Sequence, residues 1–405
     1  MLRSLPSYRA TFVAIPFIAI VGCGGISKAP VDAFGSSDST LGDASLPPDT
    51  VSLFDSSPVT GVDAETTSVD LGTASDVGID LGTAIDVESD LGTAIDVGTD
   101  IGKPPQLATM IVLPDTQYYA SSFPSVFTGQ TDFIVSKKRE LNIAAVLHVG
   151  DLVDADIPAQ WTVAKSAMRE LDNVVPYVVV PGNHDYSSAG RSSTMSNYFA
   201  PSSMPWLTGT MTPGQIDNSY ALMDIGPQKW LVLGLEFGPR DSVLAWANQV
   251  LKDPRYVNYP VILVTHAYLY SDGSRYDIKV GGTDSTKSNY QYWNPQYYGF
   301  TASEGINDGE AIWQKLVLPN SNVRLIFCGH MTGWSRLSSV RPDGTSVHQI
   351  LSDYQWLQGE NFGFGYLRVV QLDYDNKKIQ VRTFSPFLNA YLEDDPNQFT
   401  LDLNL

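Results

Sequence analysis

From residue 106 onward the chain alternates apolar runs with polar punctuation, and several runs close on a residue with chemistry to offer. Positions 107–113 lead to Asp115, 144–149 to Asp151, 177–180 to Asn183, 230–235 to Glu236, 261–264 to His266 and 323–327 to His330. Runs of four to eight apolar and β-branched residues predict strands. Their hydrophobicity is continuous rather than alternating, which predicts cover on both faces. Between them, 131–141, 159–171 and 241–251 carry apolar residues at near-helical spacing, such as Trp161, Ala164, Met168 and Leu171 in the second. Asp241 is placed to cap the third. After Gly344 the pattern turns strand-rich, through 347–351, 366–372 and 379–384. Strands alternating with helices predict a layered α/β fold. In such folds functional residues gather beyond the carboxyl ends of the strands.

Composition divides the 405 residues into three stretches. Residues 1–22 open with Arg3 and Arg9 and continue as an apolar run, 10–21. That run is too short to span a membrane and has the form of a signal peptide. It ends in Ile20-Val21-Gly22-Cys23, which resembles a bacterial lipobox. The resemblance implies lipidation at Cys23 and an exported bacterial lipoprotein, held on the outer membrane or cell surface through its lipid anchor. An ordinary signal peptide, or a poor short anchor, is the alternative.

Residues 23–105 carry fifteen acidic residues against Lys28 and Lys103, so −13 of the formal −19 resides here. An Asp-Leu-Gly-Thr repeat recurs at tenfold spacing from Asp70, Asp80 and Asp90, followed by Asp100-Ile101-Gly102. So little apolar surface cannot offset the entropy of ordering, which predicts a disordered acidic linker. As a flexible coil it spans roughly 50 Å root-mean-square, and more with self-repulsion. Calcium binding by the repeated aspartates is the alternative, although their spacing is sparse for a calcium loop. The net acidity argues against nucleic acid as the main partner. Residues 106–405 are long enough to bury a sizeable core as one domain. Of the two cysteines, Cys328 sits in an apolar run and reads as a small core residue, with no disulfide.

The strand-end motifs are Asp115-Thr116-Gln117, Gly150-Asp151-Leu152-Val153-Asp154, Gly182-Asn183-His184-Asp185, Thr265-His266 and Gly329-His330-Met331-Thr332. In kind and order they resemble the motif series of the calcineurin-like metallophosphoesterases. His348-Gln349, Asp353-Tyr354-Gln355 and Thr383-Phe384-Ser385-Pro386 are similar to the tail of a secreted bacterial branch of that family. The resemblance spans 106–405. It implies a sandwich of two mixed β-sheets flanked by helices, holding two divalent metal ions (Mn, Zn or Fe). Asp151 would bridge them, with Asp115 and Gln117 at the first metal and Asn183, His266 and His330 at the second. His184 would protonate the leaving oxygen or hydrogen-bond the phosphoryl oxygens, and Asp154 and Asp185 would orient ligands. The implied activity is that of a metal-dependent phosphoric ester hydrolase, a phosphatase or phosphodiesterase. A metal-bound hydroxide would attack a phosphorylated substrate directly, without a covalent enzyme intermediate.

Two positions depart from the family pattern. Gln117 and Thr332 stand where histidine ligands of the first metal are usual. A glutamine carbonyl is a weaker, neutral donor, and a threonine hydroxyl a poor one for a transition metal. The expectation is a tightly held second metal and a first that is weak, exchangeable, or completed by water and substrate. Tyr118, Tyr119 and Tyr186 are candidates to line the cleft, and Arg240 to pair with phosphate or, equally, with a protein carboxylate. The tyrosine-rich stretch 268–298 reads as an excursion over the site. The competing function is a metal-binding surface protein, or a degenerate relative binding phosphorylated or glycan ligands without turnover. Tyr290, Tyr292, Trp293, Tyr297 and Tyr298 would supply its surface. Of the five histidines, His148 and His348 are expected to be structural.

Overall fold

The computed structural model describes residues 106–187, 191–300, 304–357 and 362–405. The expected signal peptide with Cys23, the linker and its repeats lie outside them. Among the described residues, strands numbered in chain order form two mixed seven-stranded sheets. In the first, β1 (Leu107–Leu113), β2 (Ile143–His148) and β3 (Tyr177–Val179) run parallel. Antiparallel to β1 lies β11 (Leu367–Asp373), and antiparallel to β11 lies β12 (Lys378–Ser385), which pairs antiparallel with both β13 (Ala390–Leu392) and β14 (Phe399–Asp402). The second sheet has the order β4 (Leu207–Thr210), β5 (Ser219–Ile225), β6 (Gln228–Leu235), β7 (Val261–Thr265), β8 (Val323–Cys328), β10 (Ser346–Asp353), β9 (Gly333–Val340). Within it β6, β7, β8 and β10 are parallel.

The side-chain alternation of a strand explains the continuous apolar runs. In β1, Ala108, Met110 and Val112 pack between the sheets against Val232, Ile262 and Phe327, while Ile111 and Leu113 face the other way. That outer face is covered by α2 (Pro124–Lys137) and α3 (Pro158–Met168), which follow the short α1 (Gln117–Ser121). After the one-turn α4 (Met195–Tyr198), α5 (Asp241–Lys252) covers the second sheet through Val243, Leu244, Ala247 and Leu251. Each fully buried Leu, Ile or Phe contributes roughly 1.5–3 kcal/mol relative to exposure, so both faces of both sheets hold the strand ends in register.

Three local expectations need correction. Helix α2 starts at Pro124 rather than near 131, because proline fits the first turn where no N–H bond is needed. The last three residues of the 159–171 pattern, Arg169–Leu171, tighten into a 3₁₀ turn. Asp241 is the first residue of α5, not its cap; its carboxylate instead bonds Lys315 Nζ (2.8 Å) and Asn307 Nδ2 (3.0 Å). Cys328 is fully buried and free, as its apolar run predicts.

Candidate metal centre

The carboxyl ends of β1 and β2 meet those of β7 and β8. His266 Nε2, after β7, lies 3.2 Å from Asp151 Oδ2 and 3.9 Å from Asp115 Oδ2. The backbone N–H of His330, after β8, donates to Asp115 Oδ2 (3.1 Å), and that of His184 to Asp151 Oδ1 (2.9 Å). Asp115, Asp151 and His266 therefore form a compact group able to hold a cation.

The backbone is strained where these ligands are aimed. Asp151 (φ 50°) and His330 (φ 72°) occupy the left-handed region, which costs a non-glycine residue about 1 kcal/mol or more and clusters at functional sites. Close approach explains two of the motif glycines. A Cβ on Gly182 would lie 2.1 Å from Asp151 Oδ1, and one on Gly329 2.1 Å from Asp115 Oδ1.

Hydrogen bonds fix which atoms remain free. His266 Nδ1 lies 2.9 Å from the Val149 carbonyl, which can only accept, so Nδ1 carries the proton and Nε2 offers its lone pair. His330 Nε2 donates to the Trp293 carbonyl (2.7 Å), leaving Nδ1 free. His266 Nε2, Asn183 Oδ1, Gln117 Oε1, Thr332 Oγ1 and Gln355 Oε1 are all buried without a hydrogen-bond partner. Unpaired buried acceptors cost about 1–3 kcal/mol each, so five around one carboxylate pair point to cations as their partners.

Charge leads to the same place. Asp115, Asp151, Asp185 and Asp353 are buried together, and among the described residues none is paired with a lysine or arginine. Burial, then repulsion from Asp353 and Asp151, pushes the Asp115 carboxyl well up. Burial and Asp151 raise Asp185 to about 7. Burial also opposes ionisation of Asp151, yet His266, His184 and His330 overcome it and hold the carboxyl down at about 2. His266 Nε2 and Asp151 Oδ2 face each other at 3.2 Å as two lone-pair donors, an arrangement suited to a proton or a metal between them. The donor set fits divalent metals: two carboxylates, two imidazoles and amide oxygens, with orphaned lone pairs.

The remaining candidates have distinct places. His184 lines the cavity; its Nδ1 donates to the Asp154 carbonyl (2.9 Å), with Asp154 Oδ1 at 3.5 Å. Burial disfavours its imidazolium, but Asp151 and Asp154 outweigh burial and raise its pKa. Asp185 accepts from Gly182 N (2.8 Å), Val153 N (3.0 Å) and Leu152 N (3.2 Å), tying two motif loops together. Tyr118 lines the cavity, while Tyr119 is buried and donates nothing to it. Tyr186 and Arg240 line a neighbouring cavity instead. Arg240 is engaged with the buried Glu236 through Nε (2.8 Å) and Nη2 (3.0 Å), so the equal alternative to phosphate pairing is what the structure shows. His148 bonds Thr116 Oγ1 (2.9 Å) and Gly150 N (3.2 Å), and His348 bonds Ser338 Oγ (2.7 Å) and the Asp402 carbonyl (2.9 Å), both structural as expected. Trp293 and Tyr298, from the stretch expected to pass over the site, line the cavity, whereas sequence reasoning gave no site role to Asp353, at the end of β10, or to the cavity-lining Gln355 and Trp356. The position of Asp353 after an apolar strand was the available signal.

A model of the calcineurin-like phosphoesterase family matches residues 108–332. An uncharacterised protein of Bacillus subtilis (strain 168), YvnB, is 33% identical over 316 residues, covering 73% of this chain and 22% of that protein. The chain thus spans about a fifth of the length of this curated relative. Among solved structures, GAP50, the anchor in the inner membrane complex of Plasmodium, aligns with 74% of this chain and 89% of its own at 12% identity and a TM-score of 0.34. A protein serine/threonine phosphatase from Saccharomyces cerevisiae, with similarity to human phosphatase PP5, aligns with 73% of this chain and 84% of its own at 13% identity and a TM-score of 0.29. With the family model covering more than half of it, the chain belongs to the calcineurin-like phosphoesterase family.

Proposed function

We propose that residues 106–405 hydrolyse phosphate esters at a centre for two divalent cations. The observation carrying this reading is the set of buried, unpartnered acceptors gathered around Asp115, Asp151 and His266. Asp115, Gln117 and Asp151 would hold the first cation; Asp151, Asn183, His266 and His330 would hold the second. When bound, the cations supply a water ionised near neutral pH and polarise the phosphoryl group. His184, tied at Nδ1 to the Asp154 carbonyl, presents Nε2 to the leaving oxygen and protonates it. Asp185 keeps the two loops that carry Asp151 and His184 in register. Tyr118, Trp293, Tyr298 and Trp356 wall the cavity and limit water around the ester. No serine or cysteine lines it among the described residues, which supports transfer of the phosphoryl group directly to water. Among the described residues no lysine or arginine lines it, so apart from the cations nothing there offsets the second charge of a monoester, which favours a singly charged diester.

Export and lipid attachment at Cys23 complete the proposal and rest on the sequence of residues 1–23 alone. Labelling of the chain with a fatty-acid probe, lost in Cys23→Ala, tests that part. Catalysis is tested with bis-(4-nitrophenyl) phosphate and 4-nitrophenyl phosphate, adding Mn or Zn, beside His184→Ala. Metal-dependent turnover with preference for the diester is expected. Bound metal without turnover of either ester supports the binding-protein reading instead.

A further inference from the structure

Gln355 lies outside the residues matched by the family model and outside the five strand-end motifs. Its orientation is nevertheless fixed. The side-chain Nε2 donates to Asp353 Oδ2 (2.9 Å) and the backbone N–H to Asp353 Oδ1 (3.0 Å), so the buried carboxylate holds both donors. The amide carbonyl is turned away from that carboxylate. Its Oε1 is buried and unpartnered, in a residue only 7% exposed on the wall of the same cavity as Gln117 and Thr332. Gln117, 2% exposed, likewise leaves Oε1 without a partner.

These atoms change the chemistry of the first cation position. Where the family pattern has imidazoles, the chain offers Gln117 and Thr332. With Asp115, the shared Asp151 and Gln355, the donors other than His266 Nε2, which lies 3.9 Å from Asp115 Oδ2 but closer (3.2 Å) to Asp151 Oδ2, are all oxygens. The second position keeps His266 and His330. Nitrogen donors favour zinc and its neighbours, whereas carboxylate and carbonyl oxygens suit calcium, magnesium and manganese. Amide carbonyls combined with carboxylates are the usual donors to calcium, which tolerates irregular, oxygen-rich shells.

We propose that Gln355 Oε1 is a ligand of the first cation position and that this oxygen-rich position selects a hard divalent cation, calcium or manganese, over zinc. The centre is then mixed: a hard cation beside Asp115 and a nitrogen-preferring one beside His266. This deepens, and rests on, the two-cation reading above. It replaces the picture of a merely weakened first site with one of altered selectivity.

The test is metal binding rather than turnover. Metal-free full chain is dialysed against zinc with excess calcium, and separately with manganese, and bound metals are counted by mass spectrometry. The expected result is one zinc and one hard cation per chain. Gln355→Leu keeps the zinc and loses affinity for the hard cation by about tenfold or more, with an unchanged circular dichroism spectrum. Gln355→Asn, too short to reach, reads the same loss should the leucine variant not fold. Gln117→His restores an imidazole and shifts the first position towards a second zinc. Two zinc ions in the wild-type chain under these conditions, or hard-cation binding undiminished in a folded Gln355 variant, overturn this proposal alone. A chain that binds no divalent cation overturns the phosphoesterase reading with it.

Discussion

Adding one methyl group at either of two glycines separates the roles of the two carboxylates. In Gly182→Ala the new Cβ falls 2.1 Å from Asp151 Oδ1 and 2.4 Å from Asp151 N. An ordinary close carbon–oxygen contact is about 3.3 Å, so Asp151 or the Gly182 loop must move by about 1 Å. Overpacking of this kind costs about 1–3 kcal/mol. For a domain of this size that lowers Tm by about 2–4 °C per kcal/mol. The larger effect is on function, because a misplacement of about 1 Å in a reacting centre costs about a hundredfold in rate. On the proposed assignment Asp151 serves both cation positions, so Gly182→Ala is expected to lose both cations. In Gly329→Ala the Cβ falls 2.1 Å from Asp115 Oδ1, on a carboxylate that the proposal gives to the first position alone. That variant loses the first cation and keeps the second. Gly129→Ala, with nothing within 4 Å of its Cβ inside α2, is the control and is neutral or stabilising by up to about 1 kcal/mol. Metal content by mass spectrometry, melting by calorimetry and ester hydrolysis are read on all three. Wild-type metal content in a folded Gly182→Ala, or equal losses in the two functional variants, would refute the assignment of Asp151 as the shared ligand and Asp115 as the single one.

Other outcomes follow from the same geometry. His184→Ala lowers kcat by about a hundredfold or more without changing bound metal, and the loss is smaller for a 4-nitrophenyl ester than for an alkyl ester. Equal losses on both esters would argue against proton donation to the leaving oxygen. Arg240→Ala leaves KM within about twofold but costs about 2 kcal/mol of stability, since its guanidinium serves Glu236; a tenfold rise in KM would return Arg240 to the substrate. Arg368→Met lowers stability by about 3 kcal/mol in urea unfolding, because Ser352 Oγ, Thr383 Oγ1 and the Pro396 carbonyl lose a buried donor. An unchanged unfolding midpoint would contradict that role.

What could be read from the sequence follows from how strongly each element is buried. Strands β1, β2, β3, β7 and β8 lie between two covered faces, so their apolar runs marked them to within a residue or two. The edge strand β9, Gly333–Val340, is half exposed along its length and carries Ser335, Arg336, Ser338 and Ser339, so no apolar pattern revealed it. In β5, Ser219, Tyr220 and Asp224 interrupt the apolar residues and hid a strand whose alternate residues face the core. The metal-type residues stood out because short motifs at strand ends combine tight turns with ligands. Gln355 did not, since nothing local distinguishes a glutamine that bonds Asp353 from one facing solvent. For Arg240 the sequence left phosphate and a protein carboxylate equally open, although Glu236 four residues earlier, at the end of a buried strand, is the carboxylate that holds it.

The central claim is that the unpartnered acceptors are ligands of two cations. Anomalous diffraction from crystals of the metal-loaded chain tests it most directly. The account predicts two peaks flanking Asp151, one touching Asn183, His266 and His330 and the other touching Asp115, Gln117 and Gln355. A single peak, or metal bound away from Asp151, would contradict it.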